Sequence, residues 1–164
     1  MKKQDKWLVV LNPNAGDGTG GKDWEKIASS LNNQSIDFEL FRTRRINHAI
    51  EEIPVFIEKG FARFIVIGGD GTLNEVINGI FAQQLIAPEA ITVSMIAVGT
   101  GNDWCRMYGI PSEYEKAVQT IKNHRTIKQD IGKVHYFKKE KEQVRYFANV
   151  AGIGFDAMVA KKTN

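Results

Sequence analysis

The chain has 164 residues, 43% of them apolar and 25% charged, with a net charge of +3. That length suffices for one packed domain, or for one domain and part of another, and the charge is too mild to argue for nucleic acid as a partner. The single cysteine, Cys105, excludes an internal disulfide and points to a reducing, cytoplasmic setting.

No stretch approaches the roughly 18 apolar residues of a membrane span, and "LVVL" near the N-terminus is too short for a signal peptide. Residues 6–11, "KWLVVL", are β-branched and apolar and predict a buried strand. The strand breaks at Asn12-Pro13 into a glycine-rich loop, "NPNAGDGTGG". Residues 23–33 have helical spacing, with Trp24, Ile27, Ala28 and Leu31 on one face. Residues 36–42 alternate as a strand. A polar helix follows over about 46–59, in which Pro54 predicts a kink or a break. Residues 64–68, "FIVIG", are a second buried strand, and "TLNEVINGIFAQQ" is the helix after it. Residues 92–99 are another strand, leading into the loop "TGNDW", and residues 113–124 are a helix. Strands alternating with helices predict an α/β fold, a parallel sheet with helices on both faces.

The pattern changes near residue 126. "TIKQDIGKVHYF" and "QVRYFANVAGIG", joined by "KKEKE", read as a hairpin, and "FDAMVAKKTN" as the start of a helix. The expected organisation is therefore an α/β unit over 1–126 and the first strands of a truncated, β-rich unit over 127–164. Val134, Tyr136, Val144, Tyr146, Ala148 and Val150 are expected to share one face of the hairpin. An apolar strip and an open strand edge would then favour a homodimer. Lys133, Lys138, Lys139, Lys141 and Arg145 read either as a solvated hairpin tip or as a face toward anionic lipid.

Three loops follow strands: 12–21, 68–72 and 99–103. In an open parallel sheet ligands bind beyond the carboxyl ends of the strands, and glycine lets backbone N–H groups approach them closely. Gly71-Thr72 opens a helix, whose N-terminus favours an anion. Asp70 sits in that turn and would repel a phosphate unless a cation lies between them. Mg²⁺ suits the arrangement, since it takes few carboxylates, several waters and phosphate oxygens. Asp103 and Asp130 are further acids near strand and helix ends. Asp70 and Asp103 read equally well as turn and helix-capping residues. A near-match to a P-loop, "GDGTGGK", is followed by Asp23 where the motif needs a Ser or Thr hydroxyl, and is read as accidental.

Together, "NPNAG" (12–16), "GGDGTLNEV" (68–76), "GTGNDWCR" (99–106), "DIGKV" (130–134) and "RYFANVAGIGFDA" (145–157) resemble the catalytic domain of the diacylglycerol kinase family, which includes sphingosine and ceramide kinases. "GGDGT" alone is shared with NAD kinases; its extension to "LNEV", with "GTxND" downstream, is more specific. Trp104 stands where the family usually has phenylalanine.

The resemblance implies an ATP-dependent kinase that phosphorylates a lipid hydroxyl, with Mg²⁺. It assigns Asn12, Pro13, Asn14, Ala15 and Gly16 to the nucleotide, with Thr43 and Thr100. It adds Gly68, Gly69, Asp70, Gly71 and Thr72, then Leu73, Asn74 and Glu75. Asp70 is the catalytic acid among them, and Asp70, Asp103 and Asp130 are the acids linked to metal through water. Asn74 and Glu75 also read as support for a helix end, and His48 matches a recurrent histidine or is a half-exposed helix residue. The family's general base, a glutamate, is expected beyond residue 164. An isolated fragment would then bind ATP or ADP without phosphorylating lipid. The alternatives are an enzyme like NAD kinase and a nucleotide-binding module without activity. A peripheral place at the membrane follows from a lipid substrate.

Overall fold

The computed structural model describes residues 5–99 and 102–150. Thr100 and the helix start expected over 155–164 lie outside the described residues.

The elements run β1 (Trp7–Leu11), α1 (Thr19–Lys22), α2 (Trp24–Asn33), β2 (Phe38–Arg42), α3 (His48–Glu58), β3 (Arg63–Gly68) and α4 (Asp70–Ala82). They continue with β4 (Thr92–Ala97), α5 (Asp103–Met107), α6 (Tyr114–Lys122), β5 (Gly132–Lys138) and β6 (Lys141–Phe147). Four strands pair in parallel in the order β2-β1-β3-β4. β1 is central and every one of its residues is buried. A parallel strand covered on both faces reads as an unbroken apolar run, and "WLVVL" is one.

Alternation along β1 divides the core. Leu8 and Val10 join Ala49, Ile53 and Ile57 of α3 and Leu73, Val76 and Ile80 of α4. Trp7, Val9 and Leu11 join Trp24, Ile27 and Leu31 of α2 and Ala117, Val118 and Ile121 of α6. Helices thus cover both faces, as the spacing predicts. Crossovers between parallel strands are right-handed, so reversing direction along the sheet changes the face that the helix covers. β1 to β2 steps one way under α2; β2 to β3 steps back over β1 under α3. The loops after β1 and β3 consequently leave adjacent strands toward opposite faces and open a crevice between them.

Three local expectations are corrected. α3 runs through Pro54 without the break that proline allows. The proline removes a single hydrogen bond, and the burial of Ala49, Ile53 and Ile57 outweighs that loss. The loops after β1 and β4 hold short helices, α1 and α5, too brief for a periodic signal. The hairpin forms, but its faces differ from those expected. β5 and β6 pair antiparallel with Val134 opposite Arg145, Tyr136 opposite Gln143 and His135 opposite Val144. Directly opposed residues share a face. Val134 and Tyr136 therefore lie on one side, and Val144 and Tyr146 on the other. A one-residue difference in register moves every side chain across the sheet, so the single apolar strip is not formed. The premise for a homodimer through it fails with it.

The Tyr146 side of the hairpin packs on α4. The Tyr146 ring stacks on Phe81 with centroids 4.5 Å apart. Asn78, buried in α4, donates Nδ2–H to the Tyr146 carbonyl (2.8 Å) and accepts the Tyr146 N–H on Oδ1 (3.0 Å). One side-chain amide thus occupies both groups that a neighbouring strand would take, and closes that position of the β6 edge.

Candidate functional site

The crevice is walled by backbone. The Asn12 N–H donates to the Ile67 carbonyl (3.0 Å) and extends the β1–β3 ladder one residue past the sheet. Asn12 Nδ2 then donates to Thr72 Oγ1 (3.0 Å), and Asn12 Oδ1 accepts the Asn14 N–H (3.0 Å). One asparagine therefore fixes the start of the first loop and ties it to α4. Gly16 and Gly99 meet directly: a Cβ on Gly16 would lie 2.8 Å from Gly99 Cα, and both have positive φ, 59° and 93°. No other residue fits at that contact without displacing backbone. The loops after β1 and β4 are thereby held together across the mouth of β3. Thr43 is buried and donates its N–H to the Leu11 carbonyl (2.9 Å), at the same rim.

Asp70 answers to two demands. It begins α4, after Gly69. Its carboxylate accepts the N–H of Asp103 (2.8 Å) and of Trp104 (3.3 Å), the first two residues of α5. The capping reading of Asp70 is therefore realised, on a different helix from its own. A carboxylate has about four acceptor positions, so two donors leave capacity for a further partner. Glu75, one turn along, does the same for α3. It accepts the Asn47 N–H on Oε1 (2.8 Å) and the Ala49 N–H on Oε2 (3.3 Å), pinning Asn47 in a left-handed conformation. Asn74 donates Nδ2–H to the Tyr146 carbonyl (3.0 Å). Both residues are occupied in joining elements. His48 Nδ1 accepts the Arg44 N–H (3.1 Å), which leaves the proton of the neutral ring on Nε2, 3.9 Å from Glu52.

Asp70, Asn74 and Asp103 line a cleft of about 280 Å³ with Phe147, Ala148, Asn149 and Val150 from the end of the hairpin. Asp103 is exposed and ion-paired with Arg106. Asp130 is exposed and does not line the cleft. Among the described residues no three acidic, histidine or cysteine side chains gather to hold a metal. Asp70 and Asp103 are brought together; Asp130 is not. The donor set still suits a cation bound mostly through phosphate and water, which needs only one or two carboxylates. Asn102, the residue before Asp103, donates Nδ2–H to the Gly99 carbonyl (2.6 Å), and its Oδ1 is buried without a donor among the described residues.

Three residues at the site carried no signal in the sequence. Asn78 is one. Gln129 is another: Oε1 accepts the Trp104 indole N–H (2.9 Å) and Nε2 donates to the Ala148 carbonyl (2.5 Å), bridging α5 to the cleft wall. Tyr114 donates its hydroxyl to Asp23 Oδ2 (2.7 Å), which gives the odd residue of the P-loop near-match a partner between α6 and the start of α2. All three are polar side chains whose partners lie far along the chain, so no local pattern marks them. Cys105 is buried beside Asp70, and burial first, then that negative charge, pushes its thiol up to about 11. Burial and a raised thiol are the features of a packing cysteine.

A second concavity of about 310 Å³, by Asn32, Ser35 and Asp37, lies at the opposite end of the sheet, before β2, away from the glycine loops.

Comparison with known proteins agrees with this geometry. The chain is 34% identical over 160 residues to "Putative lipid kinase YtlR" of Bacillus subtilis, covering 95% of this chain and 50% of that protein. It is 31% identical over 155 residues to a diacylglycerol kinase of Staphylococcus haemolyticus, covering 94% of this chain and 43% of the relative. It thus spans about half the length of these relatives. A crystal structure of a diacylglycerol kinase from Bacillus anthracis superposes with a TM-score of 0.66 at 26% identity, over 84% of this chain and 45% of that one. The sequence pattern described as the diacylglycerol kinase catalytic domain matches residues 6–134. By that match the chain belongs to the diacylglycerol kinase catalytic domain family.

Proposed function

We propose that this chain carries the nucleotide half of a lipid kinase, in which ATP gives its γ-phosphate to a lipid hydroxyl, diacylglycerol being the acceptor that its relatives' names suggest. The observation that carries the reading is the convergence of three glycine loops on one crevice, with Asp70 at the start of α4 between them. Phosphoryl transfer asks a protein mainly for positioning and charge neutralisation. Backbone N–H groups of the first loop and of the first turn of α4 would hold the phosphates. Asp70 and Asp103 would hold Mg²⁺, which when bound neutralises the phosphate charge. Asp130 would enter through water. Residues 1–126 form the nucleotide unit in this reading, and 127–164 open a β-rich unit that supplies one wall of the cleft.

The test is Asp70→Asn in the intact protein, assayed with ATP against diacylglycerol, other lipid alcohols and NAD. The amide keeps one acceptor for α5 but loses the other along with the charge, so the melting temperature should fall moderately while the protein stays folded. Turnover on lipid should fall by ~100-fold or more, the scale for removing one electrostatic contact at a reacting centre. Near-normal turnover would leave Asp70 a capping residue only. Phosphorylation of NAD in place of lipid would move the protein to another substrate class.

A further inference from the structure

The basic charge of this chain is not spread over it. Residues 122–145 hold eight Lys and Arg against three Asp and Glu, a net charge of +5 where the whole chain has +3. The remainder is therefore net negative. Seven of the eight cations are exposed: Lys122, Arg125, Lys128, Lys133, Lys138, Lys139 and Lys141. The last three crowd the turn between β5 and β6, interleaved with Glu140 and Glu142, so that residues 138–142 carry +1, and among the described residues none of the three lysines is in an ion pair. Beside them Phe137 is 76% exposed, with Tyr136 and Val144 also exposed.

The two kinds of side chain are placed to act together. The register puts Lys138 opposite Lys141 and Phe137 opposite Glu142. The tip thus offers lysines on one side of the ribbon and a bare aromatic ring on the other. It stands about 20 Å along β6 from the cleft wall at Phe147, given ~3.3 Å per residue. That distance takes it clear of the nucleotide loops. The turn itself, Lys139-Glu140, has positive φ at both residues, 49° and 63°, where Asn-Gly is the residue pair that fits best.

We infer that this hairpin tip is an attachment surface for an anionic lipid bilayer. Presented end-on, a tip with lysines on one side and an exposed ring on the other matches a negatively charged interface: the cations stay at the headgroups and the ring enters the boundary. A second copy of the chain is a poor occupant, since it would bring the same positive tip. The purpose of the surface, holding the enzyme where its lipid substrate lies, rests on the kinase reading; its evidence does not.

The experiment is sedimentation of the intact protein with vesicles of phosphatidylcholine alone and of phosphatidylcholine mixed with phosphatidylglycerol. Binding is expected only to the mixed vesicles, and is expected to fall at high salt. Lys139→Asn should weaken it about fivefold, from ~1 kcal/mol per basic residue at the surface. Asparagine tolerates positive φ better than lysine, so the same variant should melt no lower than the parent, which separates binding from folding. Lys138, Lys139 and Lys141 replaced together by Ser should bind about a hundredfold more weakly, and Phe137→Ser should weaken binding with no loss of stability. Equal binding to both vesicles, no binding to either, or variants that bind like the parent would overturn the inference. So would a concentration-dependent dimer, seen by light scattering, that Phe137→Ser abolishes. Activity on diacylglycerol in detergent micelles, measured in parallel, reports on the kinase reading alone, so either idea can fail without the other.

Discussion

Asp70 and Glu75 show how one residue type serves two ends. Both lie in the first two turns of α4, yet neither carboxylate caps its own helix. Each reaches a different helix N-terminus, where a negative charge is stabilising. Asn78, on the same helix, is neutral and buried and spends its amide on Tyr146. Asn78→Leu keeps the branching of the side chain but strands the Tyr146 N–H, while the Tyr146 carbonyl keeps its bond from Asn74. We expect a loss of about 2 kcal/mol, since each unpaired buried group costs ~1–3 kcal/mol, read by chemical denaturation, together with faster hydrogen exchange at Tyr146 and its neighbours in β6. Unchanged exchange there would show that Phe81 stacking and the Asn74 bond hold the hairpin without Asn78. Tyr114 carries a pH signature. Burial first, then the bond to Asp23, raises its phenol from 10.0 to about 12. The folded state therefore favours the protonated phenol more than the unfolded state does. That contribution is full below pH 10 and is lost as pH rises toward 12. In Tyr114→Phe the fall in stability over this window should be shallower than in the parent, as measured by urea unfolding at each pH.

Between elements, α3 and α4 approach each other closely. A Cβ on Gly79 would lie 2.7 Å from Ile53 Cβ, 3.1 Å from the Ala49 carbonyl oxygen and 3.2 Å from that of Ile50. Ile50 is the residue whose carbonyl Pro54 leaves without its usual helical donor. Close approach of α4 at this point is how the two helices bury Ile53 and Ile77 in a common core. Alanine has the higher helix propensity, by ~1 kcal/mol, yet here it must push two backbones apart. Gly79→Ala should therefore destabilise by about 1–3 kcal/mol, the range for overpacking. Thermal unfolding checks the sign, and a gain in stability would show that the helices can separate freely. Glu75 pins the start of α3 from α4 as well, so a shift at Gly79 would reach the loop that carries Thr43 and His48.

At the scale of the molecule, the crevice exists because the chain reverses direction across the sheet after β2. One helix layer follows from stepping toward β2, the other from stepping back to β3. No single loop makes the site; the first and third glycine loops touch only because Gly16 and Gly99 lie over the end of β3. A ligand bound there would contact loops from three strands and stabilise the fold as a whole. Saturating ATP at ~100 times its Kd should add about 2.7 kcal/mol of stability. The rise in melting temperature should be larger with Mg²⁺ than with EDTA if Asp70 faces a cation. Equal shifts in the two conditions would remove the metal from the site and leave nucleotide binding intact.

The amino-acid sequence by itself determined the α/β alternation, the parallel sheet and the three glycine loops at strand ends. These depend on spacing within a dozen residues: an apolar run for a strand covered on both faces, a 3.6-residue period for α2, glycine where the backbone must turn. Tertiary structure alone decided the partners. Asp70 and Asp103 are 33 residues apart, Glu75 and Asn47 are 28, and Asn78 and Tyr146 are 68. A polar side chain takes whichever buried backbone group the fold leaves unpaired beside it, and that group is set by packing. The hairpin faces were decided in the same way. Alternation within each strand was legible, but the offset between strands came from the Lys139-Glu140 turn and from the amide of Asn78 on the β6 edge. Helix α3 survives Pro54 for the same reason: its partners lie in β1 and α4, and their burial is worth more than one hydrogen bond.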